Sequence, residues 1–164
     1  SGLLFRRLGN WLEGKPCHVY TAPYDVLLPA WPGQADDEVD TVVQPDIVVF
    51  CDRTKLTPAG ARGAPDLVVE ILSPWTSKKD LNEKFRLYER VGVREYWVLD
   101  PASKSLQLYR LEESANTPAA NSLADTPAPA PRYGPPEILV GGGSAASQVL
   151  AGFGIQLNEL WEED

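Results

Sequence analysis

Asp66-Leu67-Val68-Val69-Glu70-Ile71-Leu72, followed at once by Ser73-Pro74, is the stretch on which the fold turns. Its apolar residues run without polar alternation, the pattern of a strand covered on both faces in the middle of a sheet, and Ser73-Pro74 ends it. Glu70 lies inside this run, where an ionised carboxylate without a partner costs several kcal/mol. By strand parity Val68, Glu70 and Leu72 share one face, and Leu67, Val69 and Ile71 the other. Something on the first face has to offset the cost of Glu70.

Upstream, Thr41 to Phe50 is a second strand pattern, with Pro45 marking a bulge or edge and Asp46 standing just before Ile47-Val48-Val49-Phe50. Val19 to Leu28 is a third, ended by Pro29, and the two make a long hairpin. Leu4, Leu8, Trp11 and Leu12 fall at helical spacing, so the first dozen residues form an amphipathic helix closed by Gly14 and Pro16. Residues 53–64, with Pro58, Gly60 and Gly63, are expected as loop.

Downstream, Thr76 or Ser77 caps a helix running to about Arg90, with Leu81, Phe85 and Tyr88 on its buried stripe and Gly92 as its stop. Two strands follow, Glu95 to Leu99 and Ser105 to Leu111. Residues 112–131, rich in Pro, Ala and Ser, lack a core-forming pattern and are expected to be a flexible insertion. Beyond it, 134–140 returns as an edge strand and the tail from Val149 to Trp161 docks on the core. The sum is one α/β domain over residues 1–164, a mixed sheet flanked by helices in the order α-β-β-β-α-β with an added C-terminal strand region.

Composition narrows the function. At 164 residues with 43% hydrophobic content the chain suits one core. No apolar run approaches the ~18 residues of a membrane span. Cys17 and Cys51 form no Cys-x-x-Cys pattern, and two buried free thiols in a cytoplasmic protein are expected. A single histidine, His18, excludes two-histidine zinc sites and leaves a Ser-His-Asp triad hanging on one residue. No Gly-x-Ser-x-Gly or phosphate loop is present. The net charge is -8, yet residues 53–94 carry nine Lys/Arg against five acids, a net of +4. A basic middle inside an acidic shell admits an anionic substrate without demanding one.

Asp46 and Glu70, on adjacent strands, are placed to converge on one divalent cation, and an oxygen-only set without histidine favours magnesium or manganese over zinc. A structural ion pair is the alternative for Glu70. Asp66 repeats the Pro-Asp pattern but lies four residues from Glu70 on the same strand, roughly 13 Å away, too far to share an ion.

These residues carry a resemblance. Pro45-Asp46, then Glu70 in an apolar strand, then a helix, resembles the PD-(D/E)XK nuclease superfamily. More narrowly, residues 63–74 (Gly-Ala-Pro-Asp-Leu-Val-Val-Glu-Ile-Leu-Ser-Pro), Asp80 with Lys84, and residues 92–101 (Gly-Val-Arg-Glu-Tyr-Trp-Val-Leu-Asp-Pro) resemble the bacterial Uma-two group of restriction-endonuclease-like proteins. The resemblance implies a restriction-endonuclease-like core and Mg2+ or Mn2+ held by Asp46, Glu70 and the carbonyl of Ile71. It also implies hydrolysis of nucleic-acid phosphodiesters, DNA before RNA, and is compatible with a homodimer.

Two departures accompany it. The superfamily's Glu-x-Lys would put lysine at position 72, where Leu72 stands, and in this group the role passes to the position of Lys84 on the next helix. Asp46, Glu70 and Lys84 are therefore the expected catalytic residues, with a surface pair between Lys84 and Asp80 as the alternative. The group also carries a Tyr-Glu segment ahead of the first helix, upstream of where this sequence begins. Glu13 is a weaker candidate for an outer carboxylate, and Lys78, Lys79 and Arg86 for backbone steering. The rival function is an inactive nuclease-like scaffold that binds a protein or nucleic acid without cutting it.

Overall fold

Apolar residues at both parities of three neighbouring strands demand cover on both sides of a sheet, and the chain supplies it with one helix on each face. The computed structural model describes residues 2–75, 78–112 and 130–161. Its elements are α1 (Gly2–Leu12), β1 (His18–Thr21), β2 (Val26–Leu27), β3 (Val42–Val43), β4 (Ile47–Phe50), β5 (Leu56–Thr57), β6 (Gly60–Arg62), β7 (Leu67–Ile71) and α2 (Lys78–Val91). They continue with β8 (Glu95–Asp100), β9 (Ser105–Glu112), β10 (Arg132–Tyr133), β11 (Glu137–Val140), β12 (Ser144–Ala146) and β13 (Gly154–Gln156).

The principal sheet runs β1-β4-β7-β8-β9-β10, with β11 also on β9. β7 and β8 are parallel, joined by α2, and the other pairs of this sheet are antiparallel. The run 67–71 is central, as its pattern predicts. Parity then sorts the core. Ile47, Val49, Leu67, Val69, Trp97 and Leu99 pack with Leu4, Leu8 and Leu12 of α1, while Val48, Phe50, Val68, Tyr96 and Val98 pack on the α2 side with Tyr88. Gly92, at φ +88°, stops α2 in the left-handed region that glycine tolerates, and its N–H donates back to the Tyr88 carbonyl at 3.2 Å.

The hairpin expected from Val19–Leu28 and Thr41–Phe50 forms, but not as one ribbon. β1 pairs with β4 in the main sheet, whereas β2 pairs with β3 in a separate four-stranded sheet ordered β3-β2-β6-β5. The breaks fall at Pro23 and Pro45, neither of which has an N–H to give a ladder. Residues 53–64 are not simply loop: they contain the β5–β6 hairpin that completes the small sheet. Only two or three residues of each strand are involved, too short a run for period-2 alternation to show. The expected helix caps Thr76 and Ser77, and nearly all of the expected insertion, lie outside the described residues.

β11 forms the expected edge strand, on β9, and Leu150, Phe153, Ile155 and Leu157 of the tail are buried in the α1-side core. A group overlooked in the sequence holds this tail. Glu95, fully buried, accepts hydrogen bonds from the Ser147 hydroxyl (2.5 Å) and the Gln148 N–H (3.1 Å), and faces the Arg110 Nε at 3.4 Å.

The free-thiol expectation is overturned. Cys17 and Cys51 form a disulfide. The β1–β4 register places His18 opposite Phe50, so one further step sets Cys17 opposite Cys51, a pairing across 34 residues that spacing alone did not disclose. With the thiols joined, the argument from them for a cytoplasmic location falls away. No described helix is long and apolar enough to cross a membrane. Reduction, or Cys17→Ser with Cys51→Ser, is expected to lower stability by ~3–4 kcal/mol on loop-entropy grounds. Thermal melts with and without reductant, alongside a free-thiol titration, check this; two titratable thiols and an unchanged melt in the oxidised protein would refute the bond.

Candidate active site

Even parity on β7 points Glu70 toward α2, and α2 meets it with two side chains one helical turn apart. The Lys84 Nζ lies 2.7 Å from Glu70 Oε2, and the Tyr88 hydroxyl donates to Glu70 Oε1 at 2.7 Å. Glu70 is 4% exposed and Tyr88 fully buried, while the Lys84 side chain retains 39% exposure. Lys84 thus reaches from the helix border with its stem over the sheet, and the surface pair with Asp80 is not its principal contact.

Asp46 arrives from β4. Ile47 pairs with Val69 and Val48 with Val68, so one step back along the antiparallel register sets Asp46 opposite Glu70. Because the β4–β7 ladder stops short of Pro45, the Asp46 side chain supplies an acceptor where the strand no longer does: Oδ2 takes the Ile71 N–H at 2.7 Å. The Asp46 carbonyl is held from the other side by Thr21 Oγ1 (2.9 Å) and the Ala22 N–H (3.2 Å). Asp46, Glu70, Ile71 and Lys84 therefore gather at one end of the β4–β7 pair. Asp66 does not join them. It sits at the opposite end, accepting the Cys51 N–H at 2.7 Å and facing Arg94 at 3.5 Å.

The electrostatics of the pair are opposed. Burial pushes the Glu70 pKa above the ordinary glutamate value, Lys84 and Tyr88 pull it down, and Asp46 pushes it up by like-charge repulsion. Burial, with Glu70 beside it, raises the Tyr88 hydroxyl further above its usual range. Tyr88 is the functional neighbour that sequence reasoning missed. It was placed on the buried stripe as a packing residue, yet a buried phenol needs a hydrogen-bond partner, and its position four after Lys84 was the available signal.

Among the described residues no three His, Cys, Asp or Glu side chains cluster as a metal cage. Two facing carboxylates with like-charge repulsion still suit a hard cation of the magnesium type, which is bound through one or two carboxylates with water and substrate phosphate completing its shell. Glu70 Oε1, Glu70 Oε2 and Asp46 Oδ2 each accept one hydrogen bond and have capacity for more. Leu72, at the position where Glu-x-Lys would put lysine, packs instead on the α2-side core. Glu13 is exposed beyond α1, and Lys79 pairs with Glu83 at 3.7 Å.

Comparison with known proteins bears on the fold and the family. A search of curated proteins returns no match. Among solved structures, the chain is similar to one described as "a putative nuclease belonging to DUF820 from Anabaena variabilis", with 15% sequence identity and a TM-score of 0.64 over 98% of this chain and 76% of that one. At that identity the likeness speaks for the fold, which is that of a restriction-endonuclease-like nuclease. The family described as "Uma2: Putative restriction endonuclease" matches residues 1–135, a span holding both helices, the central strands and every candidate site residue, and the chain belongs to that family.

Proposed function

We propose that this protein is a metal-dependent endonuclease that hydrolyses nucleic-acid phosphodiester bonds, DNA foremost, with Asp46, Glu70 and Lys84 as its catalytic residues. The observation that carries the reading is the 2.7 Å contact between Lys84 and Glu70. It returns a lysine ammonium to the glutamate from a neighbouring helix, in a chain whose own strand offers only Leu72. Asp46, Glu70 and the carbonyl of Ile71 would hold Mg2+ or Mn2+, which when bound supplies Lewis acidity toward the phosphate and a water of lowered pKa. Asp46 is oriented for this by the Ile71 N–H, and Tyr88 fixes the Glu70 rotamer. Lys84, partly exposed, presents positive charge where the phosphorane's negative charge develops.

One observation favours the rival reading of a non-cutting scaffold: both Glu70 oxygens are already engaged, by Lys84 and by Tyr88. Metal binding separates the two. If Asp46 and Glu70 hold manganese, saturating metal at ~100 times its dissociation constant stabilises the fold by ~2.7 kcal/mol. Asp46→Ala is expected to abolish that rise in melting temperature, and an equal rise in the variant would remove Asp46 as a ligand.

Lys84 decides between enzyme and scaffold. Lys84→Ala is expected to leave the manganese-induced rise largely intact and to lower cleavage of DNA by at least ~100-fold. Lys84→Arg is also expected to cut poorly, because a planar guanidinium does not reproduce a compact ammonium. Cleavage by Lys84→Ala at the parent rate would defeat the lysine's role; a parent that binds manganese yet cuts neither DNA nor RNA would favour the scaffold.

Glu70 adds a pH signature. Its folded pKa is raised above the unfolded value, so its stability contribution is present while it is protonated and is lost as pH rises through the folded pKa. Glu70→Gln keeps an oxygen for Tyr88 without the buried charge. The melting temperature of the variant minus that of the metal-free parent is expected to rise as pH climbs above the ordinary glutamate value, about 4, toward the raised folded value. A difference that is flat or falls with pH would show that Glu70 is not penalised by burial.

A further inference from the structure

Two tryptophans are spent on the surface of this protein, and both stand at the ends of one trough. Trp75 is 90% exposed and Trp31 56% exposed, although an indole left in water forgoes burial worth several kcal/mol. The Trp75 N–H donates to Ser73 Oγ at 3.3 Å immediately after Pro74. Trp31 lies between Pro29 and Pro32 in a loop tied by buried Gln34, whose Oε1 accepts the Ala30 N–H at 2.8 Å and whose N–H donates to the Trp31 carbonyl at 3.3 Å.

Between them runs a single stripe of α2. Asp80, Glu83, Lys84 and Leu87 line a cleft of about 480 Å3 together with Trp75. Leu87, Arg90 and Val91 line a larger one of about 670 Å3 together with Trp31. The spacing of 80, 83/84, 87 and 90/91 is that of one helix face, and Leu87 borders both clefts, which follow one another along the helix as a trough. Lys84 of the candidate active site lines the smaller cleft.

We propose that this trough binds an unpaired nucleic-acid strand, with Trp75 and Trp31 as stacking surfaces for its bases and Arg90 and Lys84 as its cationic contacts. This rests on the nuclease reading of the same site and names the form of its substrate. The charge on the trough argues for stacking over phosphate binding as the main source of affinity. Lys84 and Arg90 are balanced by Asp80 and Glu83, so the floor carries no net positive charge of the kind that grips a duplex backbone. The acids do not face the strand undressed: Glu83 is engaged by Lys79, and Asp80 also has a partner. Arg90, exposed, has no partner among the described residues and is available to a phosphate. From Lys84 to Arg90 the helix advances ~9 Å, two to three nucleotides at ~3.4 Å per stacked step. Aromatic faces accept any base, so the trough reads the unpaired state of a strand and not its sequence.

The test measures binding apart from cutting, by fluorescence anisotropy of short labelled oligonucleotides in chelator. DNA and RNA single strands, a blunt duplex of the same sequence and an abasic single strand of the same length are compared. The parent is expected to bind base-bearing single strands more tightly than duplex or abasic strand. Trp75→Ala is expected to lose about 5- to 150-fold for the base-bearing strand alone, with Trp75→Phe restoring most of it. Parent affinity in Trp75→Ala, or equal parent affinity for abasic and base-bearing strands, overturns the proposal. The two readings fail separately. A parent that cuts DNA while Trp75→Ala binds normally keeps the nuclease and sinks the trough; a parent that binds through Trp75 but never cuts keeps the trough and sinks the nuclease.

Discussion

The carboxylate of Glu70 is buried in the central strand of the sheet, and the molecule is arranged around making that tolerable. Charge in such a place survives only with partners of good geometry. Both partners come from α2, whose residues 84 and 88 lie one turn apart and close on the two oxygens. For this to happen α2 must cross back over the sheet between β7 and β8, which is what the parallel pairing of those strands requires of any connection. The crossover helix therefore covers one face of the sheet and satisfies the charge embedded in it.

The second carboxylate depends on an interruption. A continuous strand through Pro45 would pair its main chain with β7 and leave the Asp46 side chain no part in the ladder. The ladder instead ends there, the side chain takes the Ile71 N–H, and the upstream half of the ribbon turns away into the small sheet. The small sheet also shapes the trough beside α2, since residues on either side of its strands, from Leu28 to Pro32 and at Gly63 and Ala64, line the larger cleft. One proline break thus shapes both the carboxylate pair and the surface that leads to it.

The cross-strand pair Glu95–Arg110 and the disulfide at Cys17–Cys51 tie the periphery to this centre. Neither reaches the candidate site. The first holds the tail against the α1-side core, and the second joins the chain beyond the ends of β1 and β4, away from Asp46. Constraint at those points leaves the α2 face, where exposed Trp75 and half-exposed Lys84 stand, free of cross-links among the described residues.

By itself the sequence determined which strand is central, which face of it Glu70 occupies, and that the odd and even residues of β7 line opposite faces, because strand parity and unbroken apolar runs are local properties of the chain. It also carried the candidate pair Asp46 and Glu70, since a charge within an apolar strand is visible without a structure. Tertiary structure alone decided the rest. Whether Lys84 faces Asp80 or Glu70 depends on how α2 is set over the sheet, and both contacts are consistent with helical spacing. The contact of Tyr88 with Glu70 was legible only as a hint, its place one turn after Lys84, because a phenol on an apolar stripe looks the same whether its hydroxyl has a partner or not. The disulfide, the split ribbon and the β5–β6 hairpin rest on register between segments distant in the chain, and no local pattern encodes which residues of two strands come to lie opposite one another.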